Sequence, residues 1–231
     1  AERSFDLKGY KERPILSINR GFSAPIILDS SQTAEELAFL SAHDDDPFAR
    51  FEAMQQLMTG YLTAKVSGSP VDRDIILQAV AKILSDDSID PAFLAELIQL
   101  PSEAFLGDQM AEVDPQAIHD EREKLRGKIA VQFERRFRKL YKSCWPGEFS
   151  LDAEARAKRK LRNVMLGYLA ASFSEDAAEI AFDQYREADN MTAMQGALAV
   201  LSHLEAEERT VAIDDFYKRF RHNPLVLDKW F

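Results

Sequence analysis

The chain has 231 residues, 46% hydrophobic and 29% charged, with a formal net charge of −10. That composition is globular and long enough to bury a core without disulfide staples, and its acidity argues against a general nucleic-acid binder, because phosphate is repelled. No apolar run approaches the roughly 18–20 residues that a bilayer-spanning helix needs, and the one cysteine, Cys144, allows no internal disulfide, which fits a reducing, cytoplasmic compartment.

In chain order, the first residues differ from the rest. Residues 4–7, 14–19 and 24–28 read as short strands around a turn at Gly9, too few to form a stable sheet alone. Residues 1–29 are therefore expected to be the last strands of a β domain. From Ser30 the pattern turns helical. Ser31 or Thr33 caps a helix running through Ser41, with Glu35 and Glu36 in its first turn. Asp46-Pro47 opens a second, with Phe51, Met54, Met58, Tyr61 and Leu62 on one face. Gly68-Ser69-Pro70 breaks the chain, and Ile75, Ile76, Ala79, Val80, Ile83 and Leu84 mark a third helix. Asp90-Pro91 starts a fourth, ended by Pro101. Asp114-Pro115 starts the longest, whose stripe is Ile118, Leu125, Ile129, Phe133, Phe137 and Tyr141, and Trp145-Pro146-Gly147 ends it. Leu161, Val164, Met165, Tyr168 and Leu169 mark the next, followed by helices near 175–188, 191–204 and 207–221. Asn223-Pro224 begins one more that runs to Trp230 and Phe231 without a C-cap, as an internal helix cut short would. The start, Ala1-Glu2-Arg3, resembles no leader and carries no methionine, which also reads as an excised piece.

The expected fold is mainly α: an irregular stack of antiparallel helical hairpins over residues 30–231, with a few short strands before it. No fixed period holds, so it is not a regular repeat such as HEAT or TPR.

No self-contained active site is legible. The four histidines, His43, His119, His203 and His222, belong to no His-Glu-x-x-His helix. His119 and Glu123 are four apart and could share a face, but a metal site needs a third ligand, so they read as a surface pair. His43-Asp44-Asp45-Asp46-Pro47 reads as helix punctuation, with Asp46 as cap. Cys144 reads as an inert thiol, since no paired histidine is visible. Asp189-Asn190 sits at a helix junction, where such residues cap. Fourteen of the 29 Lys and Arg residues fall between Arg122 and Arg162, and they read as solvated helix faces. No catalytic, cofactor-binding or metal-binding residue is assigned.

Four segments, in order, carry a resemblance: Arg13-Pro-Ile-Leu-Ser-Ile-Asn-Arg-Gly-Phe-Ser-Ala-Pro-Ile26, Asp46-Pro-Phe-Ala-Arg-Phe-Glu-Ala53, Ala188-Asp-Asn-Met-Thr192 and Asn223-Pro-Leu-Val-Leu-Asp-Lys-Trp-Phe231, with Leu100-Pro-Ser-Glu103 and Asp114-Pro115 in support. Over nearly its whole length the chain resembles the C-terminal part of the bacterial aminopeptidase N family, zinc alanyl-aminopeptidases of the gluzincin class. The resemblance implies a parent of four domains. Residues 1–29 would close its β-sandwich, and residues 30–231 would form the first part of a helical domain covering the catalytic cleft. The zinc helix and the Gly-Ala-Met-Glu-Asn motif would lie upstream. The implied partners are the catalytic domain of the same polypeptide and peptide substrates, with no nucleic acid and no membrane. Zinc belongs to the parent and no cofactor to this chain. One departure is Ala193, where the family usually carries Asp after Thr192. The competing expectation is a stand-alone helical scaffold that binds a partner protein in a concave face.

Overall fold

The computed structural model describes residues 8–26, 28, 30–145 and 147–228. Among them lie a 3-10 turn at Arg20–Phe22 and eleven α-helices: α1 (Ala34–His43), α2 (Pro47–Val66), α3 (Asp74–Ser85), α4 (Pro91–Leu97), α5 (Glu103–Asp108), α6 (Pro115–Ser143), α7 (Ala153–Ala171), α8 (Ala177–Glu187), α9 (Met191–Ser202), α10 (Glu207–Phe220) and α11 (Pro224–Leu227). Neighbours in sequence pack on one another: α1 on α2, α6 on α7, α8 on α9 and α9 on α10. Longer-range packing lays α4 against α7 and α2 against α6, which closes the hairpins into a stack. The mainly α expectation holds.

Most helices start where capping chemistry places them. Thr33, not Ser31, caps α1: its side chain accepts from the Glu36 amide while Glu36 accepts from the Thr33 amide, a reciprocal box that satisfies two orphan donors. Asp46, Asp90, Asp114 and Asn223 each cap a helix whose first residue is proline. The fixed φ of proline suits that position, and its missing N–H would be unsatisfied there anyway. One helix lies outside the expectation. The sequence predicts a helix that starts at Asp90-Pro91 and is ended by Pro101, whereas α4 stops at Leu97, and Ser102 caps the short α5 by accepting from Phe105 N. Leu106, buried in the common core, anchors that single turn and a half.

The expected strands are corrected. Residues 14–19 and the described residues of 24–28 form no strand; residues 4–7 lie outside the described set, as do Trp230 and Phe231. A strand needs a ladder partner, and here the backbone groups turn to side chains instead. Leu16 O accepts from Gln32 Nε2 at 2.8 Å, and Ala24 N donates to Asn19 Oδ1 at 3.0 Å.

One apolar core runs through the helices. Met54, Met58 and Leu62 of α2 join Ile76, Val80 and Ile83 of α3, Phe137 of α6, Leu161, Met165 and Leu169 of α7, and Phe216 of α10. Of the expected α6 stripe, all but the partly buried Phe133 are fully packed. Phe137 stacks on Tyr168 with centroids 4.8 Å apart, and the buried Tyr168 hydroxyl donates to Ile98 O, so that α6, α7 and the end of α4 meet there. Burying a side chain of Phe137's size contributes about 2–3 kcal/mol.

The N-terminal segment is latched to this core at the α1–α2 junction. Arg20 pairs with Asp45 and, at 3.3 Å, with Asp44. Asp46 accepts from Ala49 N at 2.8 Å, as a cap, and from Gly21 N at 3.0 Å. Gly21 holds φ of 62°, the left-handed region that a glycine enters without strain. Both amide donors hold the Asp46 carboxyl below its usual range, Gly21 first. The stabilisation is therefore full above the ordinary carboxylate pKa and is lost as pH falls through the depressed value. Asp46→Ala removes cap and tether together and is expected to cost about 2 kcal/mol in urea unfolding at neutral pH. A loss under about 0.5 kcal/mol would mean that the latch is incidental.

Candidate functional site

The residues weighed from sequence do not converge. His119 lies on α6, and its Nδ1 meets Glu103 Oε1 of α5 at 2.9 Å, both half-exposed. The hydrogen bond to Glu103 raises the imidazole pKa. Glu123, the expected neighbour, instead pairs with Arg122 at 3.0 Å and Arg126 at 3.1 Å. His43 packs on Phe39, centroids 4.8 Å apart, and His222 accepts from Arg221. Cys144 is buried beyond the end of α6, and burial pushes its thiol up, away from the reactive thiolate. Among the described residues no group of three His, Cys, Asp or Glu side chains could hold a metal ion. Among the described residues no helix is long and apolar enough to cross a membrane.

What the structure does bring together is a buried polar cluster where α6, α7, α8 and α9 meet. Two cations expected to sit on a solvated face are inside: Arg159 is 5% exposed and Arg162 8%. Arg162 donates from Nη1 to Tyr141 O at 3.0 Å, from Nη2 to Tyr141 Oη at 2.9 Å and from Nε to Gln184 Oε1 at 3.1 Å. Tyr141 O is one of the last four carbonyls of α6, which have no partner within the helix, so Arg162 also caps that helix. Its guanidinium carbon lies 3.8 Å from the Tyr141 ring centroid and 4.5 Å from that of Trp145. Burial lowers its pKa, and the same burial raises that of Tyr141.

Gln184 extends the cluster. Its Nε2 donates to Asn163 Oδ1 at 2.9 Å and to Ala193 O at 3.1 Å, while Asn163 Nδ2 donates to Thr192 O at 3.1 Å. Ala193 enters only through its backbone: its amide also donates to Asn190 Oδ1, the cap of α9. The missing aspartate at 193 therefore leaves the cap intact. Arg159, one turn before Arg162, lies 5.1 Å from the Phe149 ring, and its buried Nη1 has no hydrogen-bond partner. A cavity of about 40 Å³ lies between these groups, lined by Arg159, Arg162, Asn163, Gln184 and the start of α9.

The sequence did carry one signal of this cluster. Ala155, Arg159, Arg162 and Leu166 recur at spacings of four, three and four, and the outer two are buried. Arginines inside an apolar stripe are not on the solvated face.

With this geometry in view, the likeness to known proteins is informative. The family described as Domain of unknown function (DUF3458_C) ARM repeats matches residues 34–231. Aminopeptidase N of Caulobacter vibrioides is 37% identical over 95% of this chain and 26% of its own length. Aminopeptidase N of Escherichia coli K12 is 30% identical over 100% of this chain and 27% of its own length. The crystal structure of Legionella pneumophila aminopeptidase A in complex with aspartic acid superposes with a TM-score of 0.84 at 26% identity, over 95% of this chain and 27% of that one. The chain thus spans about a quarter of the length of the relatives it matches and resembles a helical part of aminopeptidase N. Matched across residues 34–231, it belongs to the family described as DUF3458_C ARM repeats.

Proposed function

We propose that this chain is a non-catalytic cap region of a zinc aminopeptidase that removes N-terminal amino acids from peptides in the cytoplasm. Residues 1–29 close the preceding domain, and residues 30–231 open the helical domain that encloses the active-site chamber and restricts access to it. The observation that carries this reading is the likeness to aminopeptidases N across nearly all of this chain but only about a quarter of theirs. Zinc in such an enzyme supplies an activated water for attack on the peptide carbonyl. The described residues here do not fit a zinc site: His119 faces Glu103 and has no third ligand. What this chain contributes is a stiff helical wall. Its hairpins are tied across α6–α9 by the Arg162–Gln184–Asn163 chain, which suits a cover that excludes water from a cleft.

Substrates graded by size test the enclosure. The longer polypeptide containing this chain is expected to hydrolyse alanyl-p-nitroanilide and short peptides, and to leave the N-terminal alanine of a folded protein uncut. Equal cleavage of both would contradict a restricting cap. A longer polypeptide without any peptidase activity would leave the interaction-scaffold reading in its place.

A further inference from the structure

We propose that the cavity between α7, the α6–α7 connection and the start of α9 is a binding site for a single carboxylate group, held by the guanidinium groups of Arg159 and Arg162. Arg159 is 5% exposed, and its buried Nη1 donates to nothing. A buried charged donor left unpaired is costly, and a bound acceptor removes that cost. Among the described residues neither guanidinium forms an ion pair. Two like charges three residues apart on one helix repel each other, and an anion between them reverses the sign of that interaction.

The walls complete the site. Trp145 lies over the face of Arg162 and Phe149 over that of Arg159. Arg162 already donates from Nε, Nη1 and Nη2, so the second N–H of each of its Nη atoms and the unpartnered Nη1 of Arg159 are the donors left for a ligand. The first turn of α9, a helix of 12 residues, meets the cavity at Asn190 and Ala193 and adds the positive end of its dipole. The cavity's 40 Å³ suits a carboxylate group and little more. A groove of about 370 Å³, bordered by Trp145, Ile180 and Asp183, runs past Arg162 and takes whatever the carboxylate is attached to. Apart from the two arginines, the charges lining the cavity itself are acidic, while Lys142 borders the groove. Glu187 and Asp189 are exposed at the cavity mouth, and the Asp152 carboxylate near Arg159 is committed to Ala155 N and Ser150. These carboxylates repel a dianion more than a monoanion, so the site selects carboxylate over phosphate.

The carboxylate is supplied either by a free small acid or by an acidic side chain of the longer polypeptide. The probe is sodium acetate at constant ionic strength, with phosphate as control, followed by NMR at the arginine Nε–H and Trp145 indole N–H signals. For the 231-residue chain, saturable shifts at Arg159, Arg162 and Trp145 are expected with acetate and none with phosphate. Arg159→Lys keeps the charge, loses the fork and weakens binding roughly tenfold. Arg159→Met abolishes binding. Its melting temperature without acetate stays at or above that of the wild type, and acetate no longer raises it.

In the longer polypeptide, an undiminished acetate response assigns a free acid. Loss of the response, with the arginine signals already at their acetate-bound positions, assigns an internal acidic side chain. The proposal is overturned by shifts that do not saturate, by equal shifts at exposed arginines, or by a melting temperature that falls in Arg159→Met, which would make Arg159 a structural residue.

Discussion

Gly196→Ala is expected to destabilise the chain by about 3 kcal/mol, although alanine is the better helix former by about 1 kcal/mol. A Cβ at position 196 of α9 would lie 2.4 Å from Cγ and Nδ2 of Asn163 on α7. Asn163 cannot simply swing aside: it donates to Thr192 O and accepts from Gln184 Nε2. Displacing it breaks both bonds, at about 1 kcal/mol each, and adds the strain of an overfilled contact. Removing the obstruction reverses the outcome. In an Asn163→Ala background, the same Gly196→Ala change is expected to be neutral or stabilising, because only helix propensity remains. Urea unfolding of the two single variants and the double variant measures the cycle. Additive costs would show that the close approach of α7 and α9 is not what requires glycine here.

Arg162→Met is expected to cost about 4 kcal/mol, the largest single loss in the cluster. Methionine replaces the stem but none of the three donors, so Gln184 Oε1, Tyr141 Oη and the last-turn carbonyl of Tyr141 lose their protein partners in a buried cluster. Leaving such groups unpaired costs more than the bonds themselves contribute. The contrast with Arg159 is diagnostic. One arginine is tied by three hydrogen bonds to α6 and α8 and the other has a donor to spare, so their methionine variants are expected to move the melting temperature in different ways. A loss under about 1 kcal/mol for Arg162→Met would mean that water replaces the guanidinium, and that the cluster does not hold α6 to α8.

Helix starts were legible because they rest on local chemistry. An Asp-Pro or Asn-Pro pair satisfies the same orphan amides wherever the rest of the fold goes, and α2, α4, α6 and α11 all begin at one. The order of antiparallel hairpins followed from the short links between them. What failed was non-local. The residues around Ile15–Ile18 alternate like a strand, yet nothing described lies beside them to complete a ladder. The Ser102 cap was visible, but α5 depends on Leu106 reaching a core assembled from distant helices. Helices of four to 29 residues hide any fixed period behind a stacked architecture. The arginine cluster was hidden in another way. Charge counting assigns Arg159 and Arg162 to a basic surface, and only their register with Ala155 and Leu166 shows that they face inward. His119 reads toward Glu123 along its own helix, while its partner came from α5, an element the periodicity did not reveal.

Whether catalysis lies outside this chain is decided by alanyl-p-nitroanilide hydrolysis and bound zinc, assayed in one preparation of the 231-residue chain and one of the longer polypeptide. No turnover by the chain is expected at any added zinc concentration and no stoichiometric zinc in it, whereas the longer polypeptide is expected to show both. Turnover that co-purifies with the 231-residue chain through successive columns, with zinc at one per chain, would contradict that expectation.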